Sequence, residues 1–352
     1  MKYPDIEKIN ETPINFIIGM GRSGTTLLTS ILNSNSSIIS APENNFILFG
    51  KDLASRTSLS KEELFNEFKA MFNLKHNHVI SSWNPDFDFI KNVLNNDANN
   101  INYQTLCKSA YYSQNQKNEQ DTIKSIVDKN PVYSLFIDDL IQLFPESKFI
   151  ILVRDYRDNI ASRKKFTNGI VSRTIYNLAH TWSNYYSQIE KVKIKFPDKF
   201  HVLKYEDLVT NPSLNIRELC EFLEIDFEEN MLHPEKESNN YFNSDLLTSE
   251  QKERVSEMHK ELSKPINSSK VTAWKDFFSK RELIIIETIC NKFGKIYGYD
   301  KSVSTSIIRR FLIGTNLILI SPLFFVLNKS FHGLYYRIPF RCRKKIFRKI
   351  EN

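Results

Sequence analysis

The stretch that most constrains this chain is Ile14–Leu28, INFIIGMGRSGTTLL. An apolar run, Ile14–Ile18, meets the glycine-dense turn Gly19-Met20-Gly21-Arg22-Ser23-Gly24. Thr25-Thr26 then opens a pattern with Leu27, Leu28, Ile31 and Leu32 at helical spacing. Strand, tight turn and helix start in that order aim backbone N–H groups and a positive helix end at one point, which suits an anionic group. Glycine lets the backbone come close to an anion and reach dihedrals closed to other residues. Gly21, Arg22, Ser23, Gly24, Thr25 and Thr26 are therefore expected to form an anion cradle, Arg22 adding a full charge and the threonines their hydroxyls.

The spacing Gly19-x4-Gly24-Thr25-Thr26 nearly reproduces the phosphate loop of nucleoside-triphosphate-binding proteins, but Thr25 stands where its lysine belongs. The rest of the chain predicts the same general architecture. Ile38–Ser40, Ser125–Lys129, Lys148–Val153 and Phe200–Lys204 read as strands, and KFIILV has the continuous apolar character of a strand buried on both faces. Helices are predicted near Lys61–Phe72, Tyr103–Tyr112, Leu135–Phe144, Tyr176–Phe196, Ser213–Leu223, Glu250–Leu262 and Arg281–Phe293. Strands alternating with helices imply an α/β fold: three α/β/α layers around a mostly parallel sheet, like that of the P-loop NTPases. Ligands in such sheets bind beyond the carboxyl ends of the strands. Residues 1–300 are expected to form one domain. An insert at about 46–120 is rich in Asn and aromatics, and the phosphate-loop core does not need it; it reads as a helical cap over the site or as a packing insert. Within it, Trp83, Phe87 and Tyr103 are candidates for a groove or for the core.

Composition matters chiefly at the C-terminal end. Residues 301–352 carry eleven Lys/Arg against one acid, whereas the preceding 300 residues carry 37 bases against 40 acids. The net charge of +7 therefore belongs to the tail, and a nucleic-acid partner is not expected. Phe311–Leu327, 17 residues, would be about 25 Å long as a helix, short of the roughly 30 Å of a bilayer core. Ile338, Cys342, Ile346 and Ile350 then recur every fourth residue among Arg337, Arg341, Arg343, Lys344, Lys345, Arg348 and Lys349. That pattern predicts a basic amphipathic helix on an anionic membrane surface, or a helix folded back on the protein with its charges solvated. The N-terminus carries no apolar leader, and Cys107, Cys220, Cys290 and Cys342 have no metal-ligand spacing. Reduced thiols and a cytoplasmic location, peripheral on the cytoplasmic face of the inner membrane, are expected.

GMGRSGTTLL resembles the 5′-phosphosulfate loop of sulfotransferases that use 3′-phosphoadenosine 5′-phosphosulfate (PAPS), and FIILVRDYRDNIASR supplies the second half of that signature. The resemblance spans roughly residues 12–300 and is to the bacterial carbohydrate-type and tyrosylprotein-type branches. It implies that Arg154 and Ser162 bind the 3′-phosphate of the donor, a role suited to the planar fork of arginine. DKNP resembles the family's Glu/Asp-Lys-Thr-Pro segment, with Asn130 in place of threonine, and brings Lys129 toward the donor. APENNF matches a context in which a glutamate follows the second strand, which implies that Glu43 is the base toward the acceptor hydroxyl. The cytosolic branch uses a histidine of the cap instead; His76 and His78 lie in that region without its context. The Tyr205-Glu206-Asp207-Leu208 turn matches as a structural feature, with Glu206 or Asp207 capping or pairing locally. VTAWKDFF resembles a late segment that closes over the nucleotide, so that Lys270, Trp274 and Lys275 are further candidates.

The resemblance implies a sulfotransferase with Glu43, Arg22 and Lys129 catalytic, PAPS as donor, no metal requirement, and a glycan, glycolipid or lipid-linked hydroxyl acceptor. Two alternatives stay open on the residues. One is a nucleotide or small-molecule kinase with a variant phosphate loop, Asp155 holding a metal ion. The other is an inactive relative acting as a membrane-associated binding module.

Overall fold

The computed structural model describes residues 4–40, 43–73, 84–95, 101–114, 122–166, 174–236 and 260–304, together with 338 and 342. The tail predicted at 311–350 lies outside the described residues, apart from those two isolated positions. So do His76, His78, Trp83 and most of the helix expected at Glu250–Leu262, whose last residues join the 3₁₀ turn Lys260–Ser263.

Five strands, β1 (Ile14–Ile18), β2 (Ile38–Ser40), β3 (Ser125–Lys129), β4 (Phe149–Val153) and β5 (Phe200–Lys204), form a sheet in the order β2-β3-β1-β4-β5. Every pairing is parallel, with Ile17 opposite both Lys129 and Ile150, and Val153 opposite Lys204. Among the described residues the helices are α1 (Ile6–Glu11), α2 (Thr25–Asn33), α3 (Phe46–Phe49), α4 (Lys61–Phe72), α5 (Phe87–Asn95), α6 (Tyr103–Ser113), α7 (Ile137–Leu143), α8 (Tyr156–Phe166), α9 (Ile175–Lys193), α10 (Tyr205–Thr210), α11 (Pro212–Leu223) and α12 (Lys280–Ile296).

The period of two along β1 divides the core. Ile14, Phe16 and Ile18 face one layer with α4 to α9 and α12, while Ile17 faces the other with α2 and α11. Three α/β/α layers result, as the alternation of elements predicts. The insert at 46–120 contributes Phe46, Phe68, Phe72, Tyr103 and Tyr111 to the first core, packed edge-on and tilted at centroid separations of 5.4–6.1 Å. Phe87 packs there as well, and the Tyr103 hydroxyl donates to the Phe46 and Ile47 carbonyls, so both aromatics belong to the core rather than to an open groove.

Three local expectations are corrected. The predicted helix Leu135–Phe144 begins later, at Ile137, because Pro131 opens the 3₁₀ turn Pro131–Leu135 first. The Tyr205–Leu208 turn is the first turn of α10. Glu206 does not pair locally: its carboxylate accepts from the Asp155 N–H at 3.0 Å and the Tyr299 hydroxyl at 2.6 Å, tying β4 to the chain beyond α12. The four cysteines are free thiols, three of them buried.

Candidate active site

The glycine turn leaves β1 between β3 and β4, at the carboxyl edge of the sheet. Gly19 has φ 134°, and a Cβ there would sit 2.3 Å from the Leu152 carbonyl oxygen of β4. Only glycine fits that crossing. Gly24, the N-cap of α2, has φ 98° and offers no side-chain cap, so the first-turn amides of α2 meet no capping side chain. Arg22 is also left-handed, at φ 72°. Buried partners hold this turn. Gly19 N–H donates to Ser134 Oγ at 2.9 Å, and the Tyr186 hydroxyl, bound to the Leu152 carbonyl at 3.0 Å, lies 3.5 Å from the Met20 nitrogen. Asn159 Nδ2 reaches both the Gly21 carbonyl and Ser23 Oγ, each at 3.0 Å.

The second motif meets the first. Arg154 leaves β4 almost buried, 8% exposed; its guanidinium lies 4.5 Å from the Tyr205 ring centroid and donates to the Arg22 carbonyl at 3.3 Å and the Lys270 carbonyl at 2.5 Å. Its buried Nε has no hydrogen-bond partner among the described residues. Ser162, on α8, accepts from Arg22 Nε at 3.3 Å, and Phe166 underlies the Arg22 guanidinium at 4.6 Å. Burial, with the Arg154 charge adding to it, lowers the Arg22 pKa below the ordinary guanidinium value. Two guanidiniums held this close repel until an anion lies between them.

Arg22, Gly24, Thr25, Thr26, Arg154 and Ser162 line one cleft of about 330 Å³. Lys165 adds charge from α8; Leu262, Lys264, Ile266, Lys270, Ala273 and Phe277 form the opposite wall. A polyanion with a flat apolar body fits this set: cations at two sides, helix amides at the floor, aliphatic and aromatic side chains between. Lys270 is thus at the cleft. Trp274 is buried beneath it against Arg157, at 4.2 Å, and Lys275 is exposed and does not line it.

Glu43 and Lys129 form a separate pair. Lys129 Nζ, on a side chain 4% exposed at the end of β3, lies 2.6 Å from Oε2 of Glu43, whose side chain is 47% exposed. Neither lines the Arg22–Arg154 cleft; the link to it is Pro131, whose ring stands 3.8 Å from where a Cβ on Gly21 would be. Behind the pair lies the fully buried Asp128, which accepts from the Tyr133 hydroxyl at 2.6 Å; Asn130 Nδ2 donates to the Asn44 carbonyl at 2.6 Å. Burial pushes the Asp128 carboxyl up to about 7, only partly offset by Tyr133, Tyr111 and Lys129. Asp155 is committed elsewhere, in a buried bidentate pair with Arg157 Nε and Nη2 at 2.7–3.2 Å.

Sequence reasoning alone gives no site role to Asn159, Tyr186, Ser134 or Asp158, and takes Tyr205 only as part of a structural turn. Asn159 sits five residues after Arg154 inside the motif, where its polarity amid buried neighbours is the available signal; Tyr186 carries none, since an aromatic at helical spacing reads as core.

Comparison with known proteins agrees with this geometry. A model described as "Sulfotransferase family" matches residues 13–229. A putative protein-tyrosine sulfotransferase of Caenorhabditis briggsae is 22% identical over 295 residues, 82% of this chain and 90% of the relative. An omega-hydroxy-beta-dihydromenaquinone-9 sulfotransferase of Mycobacterium bovis is 32% identical over 117 residues, 30% of each chain. Among solved structures, the sulfotransferase domain from the curacin biosynthetic pathway superposes with TM-score 0.53 at 22% identity, covering 82% of this chain and 98% of its own.

Proposed function

The chain belongs to the sulfotransferase family, and from that premise we propose that it moves a sulfuryl group from PAPS to a hydroxyl acceptor, with Glu43 as base. The observation that carries the reading is one cleft lined by Arg22, Gly24, Thr25 and Thr26 of the turn together with Arg154 and Ser162, with a buried Arg154 Nε lacking a partner among the described residues. In this reading the 5′ end of the donor rests on the turn and the first-turn amides of α2, and its 3′-phosphate on Arg154 and Ser162. The donor supplies a sulfuryl group already joined to a stable phosphate leaving group.

The chain's own residues do the rest. Glu43 holds Lys129 through Oε2, which leaves Oε1 to take the proton of the acceptor hydroxyl. The turn amides and Arg22 stabilise the charge that develops on the departing phosphate, with Lys129 as a further cation. The bidentate Asp155–Arg157 pair removes the residue on which the kinase alternative stood.

For the acceptor, we favour a glycan or lipid-linked hydroxyl. The basic periodicity of the tail and the likeness to a menaquinone sulfotransferase support it. The same tail would present the enzyme to an anionic membrane surface. Protein tyrosine is the second reading, favoured by the likeness to a putative protein-tyrosine sulfotransferase over most of the chain. Transfer from radiolabelled donor to cell-envelope glycans and lipids, set beside tyrosine peptides, tests both: label in the lipid or glycan fraction supports the first, label in peptide the second. Label in neither, with ATP turned over instead, contradicts the sulfotransferase reading.

A further inference from the structure

One wall of the cleft is a run of turns from Ser268 to Phe277, outside any helix or strand. Its internal ties are Val271 N–H to the Ser268 carbonyl, 2.9 Å, Lys275 N–H to Thr272, 3.2 Å, and Phe277 N–H to Trp274, 3.0 Å. At its centre Thr272, a β-branched residue, is left-handed at φ 59°. Such a residue keeps that conformation only where its surroundings impose it.

Asp158 imposes it. From α8, more than a hundred residues away in sequence, Oδ2 accepts the Thr272 N–H and Oδ1 the Trp274 N–H, both at 2.8 Å. The carboxylate is 2% exposed and lines the cleft, yet both its oxygens are engaged by main chain. Arg154 adds its bond to the Lys270 carbonyl, and Arg157 stacks on the Trp274 ring. The helix that bears Ser162 therefore also fixes the wall facing it.

We propose that Asp158 is a positioning residue for the donor: by accepting the Thr272 and Trp274 N–H groups together, it sets the 268–277 turns where they wall the cleft opposite Arg22 and Ser162. The proposal rests on reading that cleft as the donor site. Burial raises this carboxyl to about 6, opposed by Arg154 and helped by Asp155. The other charged groups lining the cleft around it are Arg22 on the turn, Lys165 on α8, and Lys264 and Lys270 on the facing wall.

The test compares wild type with Asp158→Asn, whose amide can accept from one N–H but turns an NH₂ toward the other. Without nucleotide, hydrogen exchange at Thr272 and Trp274 should be about tenfold faster or more in the variant, the scale of one lost charge-assisted hydrogen bond, with exchange in β1 and β4 unchanged. Affinity for adenosine 3′,5′-bisphosphate should fall by a similar factor while the acceptor KM holds. If Asp158→Asn does not fold, wild type taken from pH 7.5 to 5 serves instead, since protonation removes the same charge; exchange at the two amides should then speed up relative to β1. Unchanged exchange, or faster exchange with undiminished bisphosphate affinity, overturns the proposal. Wild type that fails to bind the bisphosphate refutes the donor reading itself and, with it, this role for Asp158.

Discussion

Gly24→Ala couples both halves of the site in one methyl group. A Cβ at Gly24 would lie 2.6 Å from Tyr205 Cδ2 and 3.0 Å from Cε2, and φ there is 98°. A left-handed backbone costs an L-residue about 1–2 kcal/mol, and forcing a methyl into a packed contact about 1–3 kcal/mol more. The Tyr205 ring can yield only by moving from beneath the Arg154 guanidinium, 4.5 Å from its centroid. The variant should therefore lose about 2–5 kcal/mol of stability by urea denaturation. Its affinity for adenosine 3′,5′-bisphosphate should fall by about tenfold or more, the scale of a displaced stacked arginine. Gly21→Ala is the control, because a Cβ there meets only the Pro131 ring at 3.8 Å, an ordinary contact. It should cost less than about 1 kcal/mol. Equal stabilities for the two variants would refute the steric argument, and unchanged affinity in Gly24→Ala would refute the coupling of turn to arginine.

Glu43→Gln should keep donor affinity within about twofold and lose about 100-fold or more in kcat, the contribution of a positioned base; isothermal titration and single-turnover kinetics separate the two, and near-normal turnover removes Glu43 from that role. Asp128 binds its proton more tightly folded than unfolded, its carboxyl raised from an ordinary 3.8 to about 7. Its contribution to stability should accordingly decline as pH rises from about 4 to about 7, and Asp128→Asn should flatten that part of the urea-midpoint profile; an unchanged profile would show that Asp128 does not titrate in this range.

The sheet was legible because its signals are local. Ile14–Ile18, Ile38–Ser40, Ser125–Lys129 and Phe200–Lys204 are strands with those bounds, and Arg154 and Ser162 line one cleft with Arg22, Gly24, Thr25 and Thr26. What escaped depends on contacts between distant segments. Glu206 looks like a capping acid in Tyr-Glu-Asp-Leu, yet its partners Asp155 and Tyr299 are 51 and 93 residues away. Thr272 gives no sign of a left-handed backbone, since threonine disfavours one and the carboxylate that accepts its N–H belongs to another element. Of the wall that faces Arg22, the resemblance pointed to Lys270 and the VTAWKDFF segment, whereas Leu262, Lys264 and Ile266 belong to no motif and show no period. The described aromatics of the 46–120 insert fill or pack against the core beside β1, so their abundance reported packing more than ligand.

The most direct measurement is the affinity of the purified protein for adenosine 3′,5′-bisphosphate beside that for AMP, repeated in Arg154→Ala. The bisphosphate should bind wild type tighter by about tenfold or more, the worth of a charge-assisted phosphate contact, and Arg154→Ala should erase the difference. Equal binding of the two nucleotides by wild type, or a preference that survives the loss of Arg154, would contradict this reading of the cleft.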